Sequence, residues 1–145
     1  MTTPPTTGSL SLVNCFLMVE DPQRALDFYG GVLGCQVRND VSHGDYRWIT
    51  LTTPNQPELE LVLTQVGSSP MSDTDRAAMS DLLAKGHLSA LIFRVDDVDA
   101  MFEHVAASGA EVLQEPADQF YGVRDCAFRD PSGNLVRINS PLQQG

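Results

Sequence analysis

Lysine is almost missing from this chain. Of its nine basic side chains only Lys85 is lysine, and nineteen acidic residues leave a formal net charge of −10 over 145 residues. That balance repels phosphate backbones and anionic membrane surfaces, so nucleic acid and membrane are not expected partners. Cysteine is scarce too: Cys15, Cys35 and Cys126 are odd in number and scattered, which makes neither a disulfide framework nor a zinc-ligand spacing. They read as buried reduced thiols, with no activating base or helix N-terminus beside them. The three histidines, His43, His87 and His104, share no short-range metal spacing. His87 is the one placed to act as an acid or base at a cavity rim. No apolar run approaches the length that spans a bilayer. The Thr/Pro-rich start, Met1 to Gly8, lacks the basic and apolar regions of a signal peptide. A soluble, cytoplasmic protein is expected. No Gly-x-Ser-x-Gly elbow or phosphate-cradling glycine loop is present, which removes two common nucleotide and acyl-transfer chemistries.

What is there is a repeat. Val19-Glu20-Asp21 opens an amphipathic stretch that runs to Gly34-Cys35-Gln36-Val37, and Val95-Asp96-Asp97 opens another that runs to Gly109-Ala110-Glu111-Val112. Arg47 through Pro54 to Glu60 matches Arg124 through Pro131 to Arg137, and the offset between the halves stays at 75 to 77 residues. With 42% hydrophobic residues the chain is globular: one domain, or two half-domains sharing a core. A chain this long buries about two-thirds of its unfolded surface and needs no covalent staple.

Local pattern gives each half the same elements. Leu12 to Val19 is apolar enough for a strand. Asp21-Pro22 reads as an N-cap followed by proline at the first helical position. Ala25, Leu26, Tyr29, Val32 and Leu33 then follow at helical spacing until Gly34 stops the helix. Cys35 to Val41, Arg47 to Thr52 and the alternation of Leu59, Leu61 and Leu63 predict three strands, with a turn at Thr53 to Pro57. In the second half Leu91, Phe93 and Val95 alternate on a strand, and Asp97 caps a helix whose apolar face is Val98, Met101, Phe102 and Val105. Glu111 to Leu113, Asp125 to Arg129 and Leu135 to Asn139 complete it. Between the halves, Ser72 with Asp75 resembles a capping box, and Met79, Leu82 and Leu83 give a short helix its apolar side before Gly86.

Two copies of β-α-β-β-β, the phrase Ala25-Leu26-Asp27-Phe28-Tyr29 before Leu33-Gly34, and Phe128-Arg129-Asp130-Pro131-Ser132-Gly133-Asn134 before the last strand resemble the vicinal oxygen chelate superfamily. That superfamily holds glyoxalase I, extradiol dioxygenases and bleomycin-resistance proteins. The resemblance covers Leu10 to Pro141. It implies an α+β fold of two β-α-β-β-β modules forming a curved mixed sheet around a cavity. Residues 1–9 would be an N-terminal tail, 10–66 the first module, 67–87 a connector with a short helix, 88–141 the second module, and 142–145 a C-terminal tail.

In metal-dependent members, each module gives one ligand from its first strand and one from its last. Those positions fall here at Asn14 and Ala90, and at Glu60 and Arg137, within the register of the repeat. Only Glu60 is a good ligand. Asn14 is a weak donor, Ala90 has none, and Arg137 is permanently cationic. No metal, no cofactor and no catalytic residue is therefore expected. An ion pair between Glu60 and Arg137 is expected across the cavity instead. The remaining candidates are pocket walls and anchors: Phe16 on the face of Asn14, Trp48 beside Thr50, Arg94, and the lip residues Phe120 and Tyr121. Asp45, Glu60, Asp118 and Asp125 would make that lip acidic and suit a planar, basic ligand. The resemblance thus implies a metal-independent binder of a small molecule, an antibiotic or an aromatic metabolite, similar to bleomycin-resistance proteins and homodimeric like them. The competing readings are a glyoxalase-like lyase or isomerase, or a dioxygenase-related enzyme with a non-standard site built on Glu60 or His87, and an interaction protein with a vestigial cavity.

Overall fold

The computed structural model describes residue 3 and residues 8–142, so most of the two expected tails lies outside the described residues. The first module runs β1 (Asn14–Val19), α1 (Pro22–Leu26), β2 (Gln36–His43), β3 (Tyr46–Thr53) and β4 (Gln56–Gln65). The connector carries α2 (Asp73–Ala84). The second module is β5 (Ala90–Arg94), α3 (Val98–Ala107), β6 (Glu111–Asp118), β7 (Val123–Arg129) and β8 (Leu135–Pro141). Strand order is β1-β4-β3-β2 in one sheet and β5-β8-β7-β6 in the other. In each, the first strand pairs parallel with the last and the other pairings are antiparallel. The fold is α+β, and the duplicated modules form two separate four-stranded sheets.

The helix starts follow from side-chain caps. Asp21 accepts the amides of Gln23 and Arg24, Ser72 that of Asp75, and Asp97 that of Ala100. Helix α1 does not continue as expected. From Asp27 to Val32 it widens into a π-helix, with Leu33 N donating to Phe28 O at 3.0 Å. Gly30 and Gly31 sit in this segment and Gly34, at φ 84°, ends it. Strand β6 runs five residues past its expected end, through Pro116. As the edge of its sheet it needs no amide there, and its pairing with β7 shifts register on both sides of Gln114.

Alternation sends one face of each sheet into a shared core. Leu17, Val19, Ile49, Leu51 and Leu63 from the first module meet Phe128, Val136 and Ile138 from the second, with Tyr29, Val98 and Val105 between them. The opposite faces turn outward, and these carry the site.

The modules are locked by the turn from Asp130 to Asn134. Asp130 Oδ1 accepts the amides of Ser132, Gly133 and Asn134 at 2.8–2.9 Å. Its Oδ2 takes Asn134 Nδ2 at 2.9 Å and the Tyr29 hydroxyl, from the other module, at 2.7 Å. Asn134 Nδ2 also donates to Met18 O, and Ser132 Oγ accepts from Glu20 N. Gly133, at φ 117°, has the backbone of Leu83 and Ala84 against it, and a Cβ there would lie 2.8 Å from Ala84 O. The turn therefore seats the connector helix as well.

Removing the Tyr29 hydroxyl deletes a buried charge-assisted bond, so Tyr29→Phe should cost about 1–3 kcal/mol in urea unfolding. Gly133→Ala meets both strain and collision and should cost about 2 kcal/mol or more. Unchanged midpoints in both variants would show that the turn does not hold the modules.

Candidate functional site

On the outer face of the first sheet, Asn14 lies opposite Glu60, and Phe16 and Thr50 lie on either side of Val62. Glu60 is fixed through one oxygen. Its Oε1 accepts from Thr50 Oγ1 at 2.8 Å and Asn39 Nδ2 at 3.1 Å, and Asn39 Nδ2 also reaches Thr50 Oγ1 at 2.9 Å. Phe16, 64% exposed, meets half-buried Trp48 edge to face with centroids 6.4 Å apart. Together Phe16 and Trp48 form an aromatic wall beside a carboxylate.

The second sheet repeats the geometry with opposite charge. Arg137 Nη1 donates to Asp125 Oδ2 at 3.2 Å and to Gln114 Oε1 at 3.3 Å. Asp125 is only 3% exposed. It also accepts from Gln114 Nε2 and Gln119 Nε2, each at 2.9 Å, and from the Tyr121 hydroxyl at 3.1 Å. Burial alone would raise the Asp125 carboxyl. The bonds from Gln119, Gln114 and Tyr121, with the Arg137 charge, outweigh it and hold the group below the ordinary carboxylate range. Arg94 Nε donates to Asn139 Oδ1 at 3.1 Å from the neighbouring strand. Phe120, 98% exposed, packs its ring against Tyr121 at 5.0 Å in the loop before β7.

Three expectations are overturned. Glu60 and Arg137 do not pair: among the described residues no bond or ion pair joins them, and each is bonded within its own sheet. Moving Arg137 to Glu60 would leave buried Asp125 without its cation, which is the more costly arrangement. The residue beside Arg137 is Ile92, two positions on from Ala90, whereas Asn14 does sit beside Glu60. Nor is the lip a free acidic rim. Asp125 is bound as described, and Asp118 is paired with Arg124 at 3.1 Å. Of the four acids, Asp45, exposed in the β2–β3 turn, and Glu60, bonded only to Thr50 and Asn39, have no cation partner among the described residues.

The structure thus gathers Asn14, Phe16, Trp48 and Glu60 on one face, and Arg94, Arg137, Tyr121 and Phe120 on the other. Asn39, Gln114, Gln119 and Asn139 escaped the sequence reading. Asn39 and Gln114 carried a signal, since they lie 75 apart, in register with the repeat. His43, His87 and His104 are exposed and far apart along the fold, and His104 Nε2 bonds Val32 O at 2.8 Å. Burial raises the Cys35 thiol, and burial together with Asp125 and Asp99 pushes Cys126 to about 11, so both stay protonated at neutral pH. The donors fit a divalent metal poorly: Asn, Glu, Ile or Ala, and an Arg already bound to Asp. Among the described residues no three His, Cys, Asp or Glu side chains converge.

Both outer faces are open in the single chain. Two adjoining clefts between the modules, of about 140 and 740 Å³, are lined by Cys35, Thr53, Gln56, Ile92 and Phe93 in common, and neither reaches Glu60, Trp48 or Arg137.

The model of the Glyoxalase/Bleomycin resistance protein/Dioxygenase superfamily matches residues 11–138. The chain belongs to this superfamily. The solved structure of UcmS2 is similar at 33% identity and TM-score 0.81, covering 91% of this chain and 98% of that one. TnmS3, an antibiotic binding protein from Streptomyces sp. CB03234, is similar at 26% identity and TM-score 0.71, covering 94% and 99%. YurT of Bacillus subtilis is 28% identical over 129 residues, covering 89% of this chain and 98% of its own. Among the described residues no helix is long and apolar enough to cross a membrane.

The Asp125 cluster has a pH signature. A carboxylate held below its unfolded value of about 3.9 contributes stability above that pH and loses it as pH falls through the folded value. Asp125→Asn should therefore lower the melting temperature most near neutral pH, and the gap from wild type should close below about pH 3.9. A gap constant from pH 7 to 3 would show that Asp125 adds nothing through its charge.

Proposed function

We propose that this protein binds a small organic molecule without a metal and without chemical turnover, as a sequestering protein. The observation that carries the reading is the state of the two last-strand positions. Arg137 is a permanent cation bound to Asp125, and among the described residues no group of His, Cys, Asp or Glu gathers around Glu60 to hold an ion that activates water or an enediolate. Beside them stand features of a binding wall: Phe16 against Trp48, and Tyr121 with Phe120 at a loop tip. The likeness to TnmS3 supports an antibiotic as the ligand class, with aromatic metabolites as the wider set.

A wall open to solvent buries too little of a ligand to hold it tightly. We therefore assign the working form as a homodimer in which a second copy covers the outer faces. Phe16, Ile92 and Phe120, at 64%, 67% and 98% exposure, supply apolar area for that contact. The site of action is the cytoplasm, and the −10 net charge argues against nucleic acid as a partner.

The test is a thermal-shift panel of antibiotics and aromatic metabolites on dialysed protein, with metal content measured on the same sample. Binding should raise the melting temperature in proportion to ligand concentration over its dissociation constant. Metal should be far below one equivalent. Stoichiometric nickel, zinc, iron or manganese surviving dialysis, or turnover of a bound compound, would reject the reading.

A further inference from the structure

Resting on that binding reading, we infer that the ligand carries a basic nitrogen and that the first module's outer face takes it, with Glu60 Oε2 as counter-ion and the Phe16–Trp48 wall as the surface for the attached ring.

Glu60 is half satisfied. Both of its hydrogen bonds end on Oε1, from Thr50 and Asn39, while no described residue donates to Oε2. An ionised carboxylate offers about four acceptor sites, so one whole oxygen remains for an incoming donor. The fixed oxygen matters as much as the free one. Thr50 is fully buried and holds Glu60 in one orientation, so less ordering entropy is lost when the partner arrives.

Among the described residues no cation forms an ion pair with Glu60. Arg137 is bound to Asp125, Arg47 to Asp40 and Arg124 to Asp99 and Asp118. Arg94 extends from the other sheet toward Asn139. Next to Glu60 the face offers aromatic carbon. Cations are drawn to the faces of such rings, Trp above all, by roughly 0.5–2 kcal/mol depending on exposure. Asn14, in register with Glu60, presents an amide that makes no hydrogen bond with any described residue and can take a second polar group of the same ligand. A carboxylate on the ligand would instead face Glu60 at short range and be rejected by like charge. The opposite face, with Arg94 and Arg137 against one Asp125, would receive oxygen acceptors rather than an amine.

Trp48 is the only tryptophan in the chain, so its emission reports this face alone. The probes are three tricyclics of one outline: 9-aminoacridine, cationic at neutral pH; acridone, neutral; and acridine-9-carboxylate, anionic. Tryptophan quenching, checked by calorimetry, should rank them in that order, with 9-aminoacridine about tenfold tighter than acridone, the value of a charge-assisted bond. Glu60→Gln keeps an acceptor for Thr50 and Asn39, so it should fold, and in that variant 9-aminoacridine affinity should come within about twofold of acridone affinity. Trp48→Leu, followed by calorimetry, should weaken all three.

Equal affinity for the three probes in wild type, or a cation preference that survives Glu60→Gln, overturns the inference and leaves the binding reading standing. So does Glu60→Gln changing the mass in sedimentation without altering probe ranking, since Oε2 would then face a second copy of the chain. No binding of any tricyclic also overturns it, and the binding reading falls with it only if the wider thermal-shift panel is blank as well.

Discussion

The Asp130 carboxylate is the point on which the two modules depend. It is 4% exposed, yet it receives three backbone amides, a side-chain amide and a phenol. Desolvating a carboxylate costs several kcal/mol, and only a full set of donors offsets that. Four of the five come from its own turn, so the carboxylate organises the β7–β8 connection locally. The fifth, Tyr29, comes from the other half of the chain. Burial and the Asp130 charge raise the Tyr29 hydroxyl far above its usual range, so it remains a donor at any pH at which the protein folds. The wide π-turn of α1 and the left-handed Gly133 are the backbone features at the two ends of this bond. Both outer faces inherit their relative position from it.

Duplication then explains why the site is built in matched pairs with unmatched chemistry. Asn39 and Gln114 occupy corresponding strands and clamp the last-strand residue in each module. One clamp holds an anion, Glu60, and the other a cation, Arg137. The supporting residues differ to suit. A hydroxyl, Thr50, is enough for a carboxylate, whereas a guanidinium needs the buried Asp125. Two equivalent scaffolds thus present opposite polarity. A metal centre shared by the modules would need anionic or neutral ligands in both, and Arg137 removes that symmetry.

Most of the architecture was legible because it rests on local rules. Aspartate caps at Asp21 and Asp97, the stop at Gly34, the alternation through Leu59 to Leu63 and the repeated offset each have a short-range cause. The faces of Phe16, Trp48, Thr50 and Arg94 followed from alternation alone. What stayed hidden needed three-dimensional bookkeeping. That Glu60 ignores Arg137 could not be read from their offsets, because the deciding partner is Asp125, whose burial is set by β6, β8 and the Gln119–Tyr121 loop together. The slip from Ala90 to Ile92 came from the turns: two residues connect β3 to β4 and five connect β7 to β8, so equal sequence offsets do not give equal rungs. The π-turn has no periodicity signature distinct from an α-helix over six residues.

Charge at Glu60 and Arg137 also bears on how these outer faces stay open to ligand. Apolar residues there would draw the sheet face into closer packing or into non-specific association. Glu60 and Arg137 keep the faces hydrated, and the side chains that hold them, Thr50 and Asp125, are buried at 0% and 3% exposure, so the charged groups stand on rigid supports. The cost of that arrangement is met inside each module, where every bond that fixes a charge also leaves one edge of it unspent: Oε2 of Glu60 on one side, and Nε and Nη2 of Arg137 on the other. Polar capacity left over on rigid supports, next to aromatic carbon, is what distinguishes a recognition surface from a satisfied protein surface. On the proposed reading, the residues at these positions serve recognition by shape and hydrogen bonding.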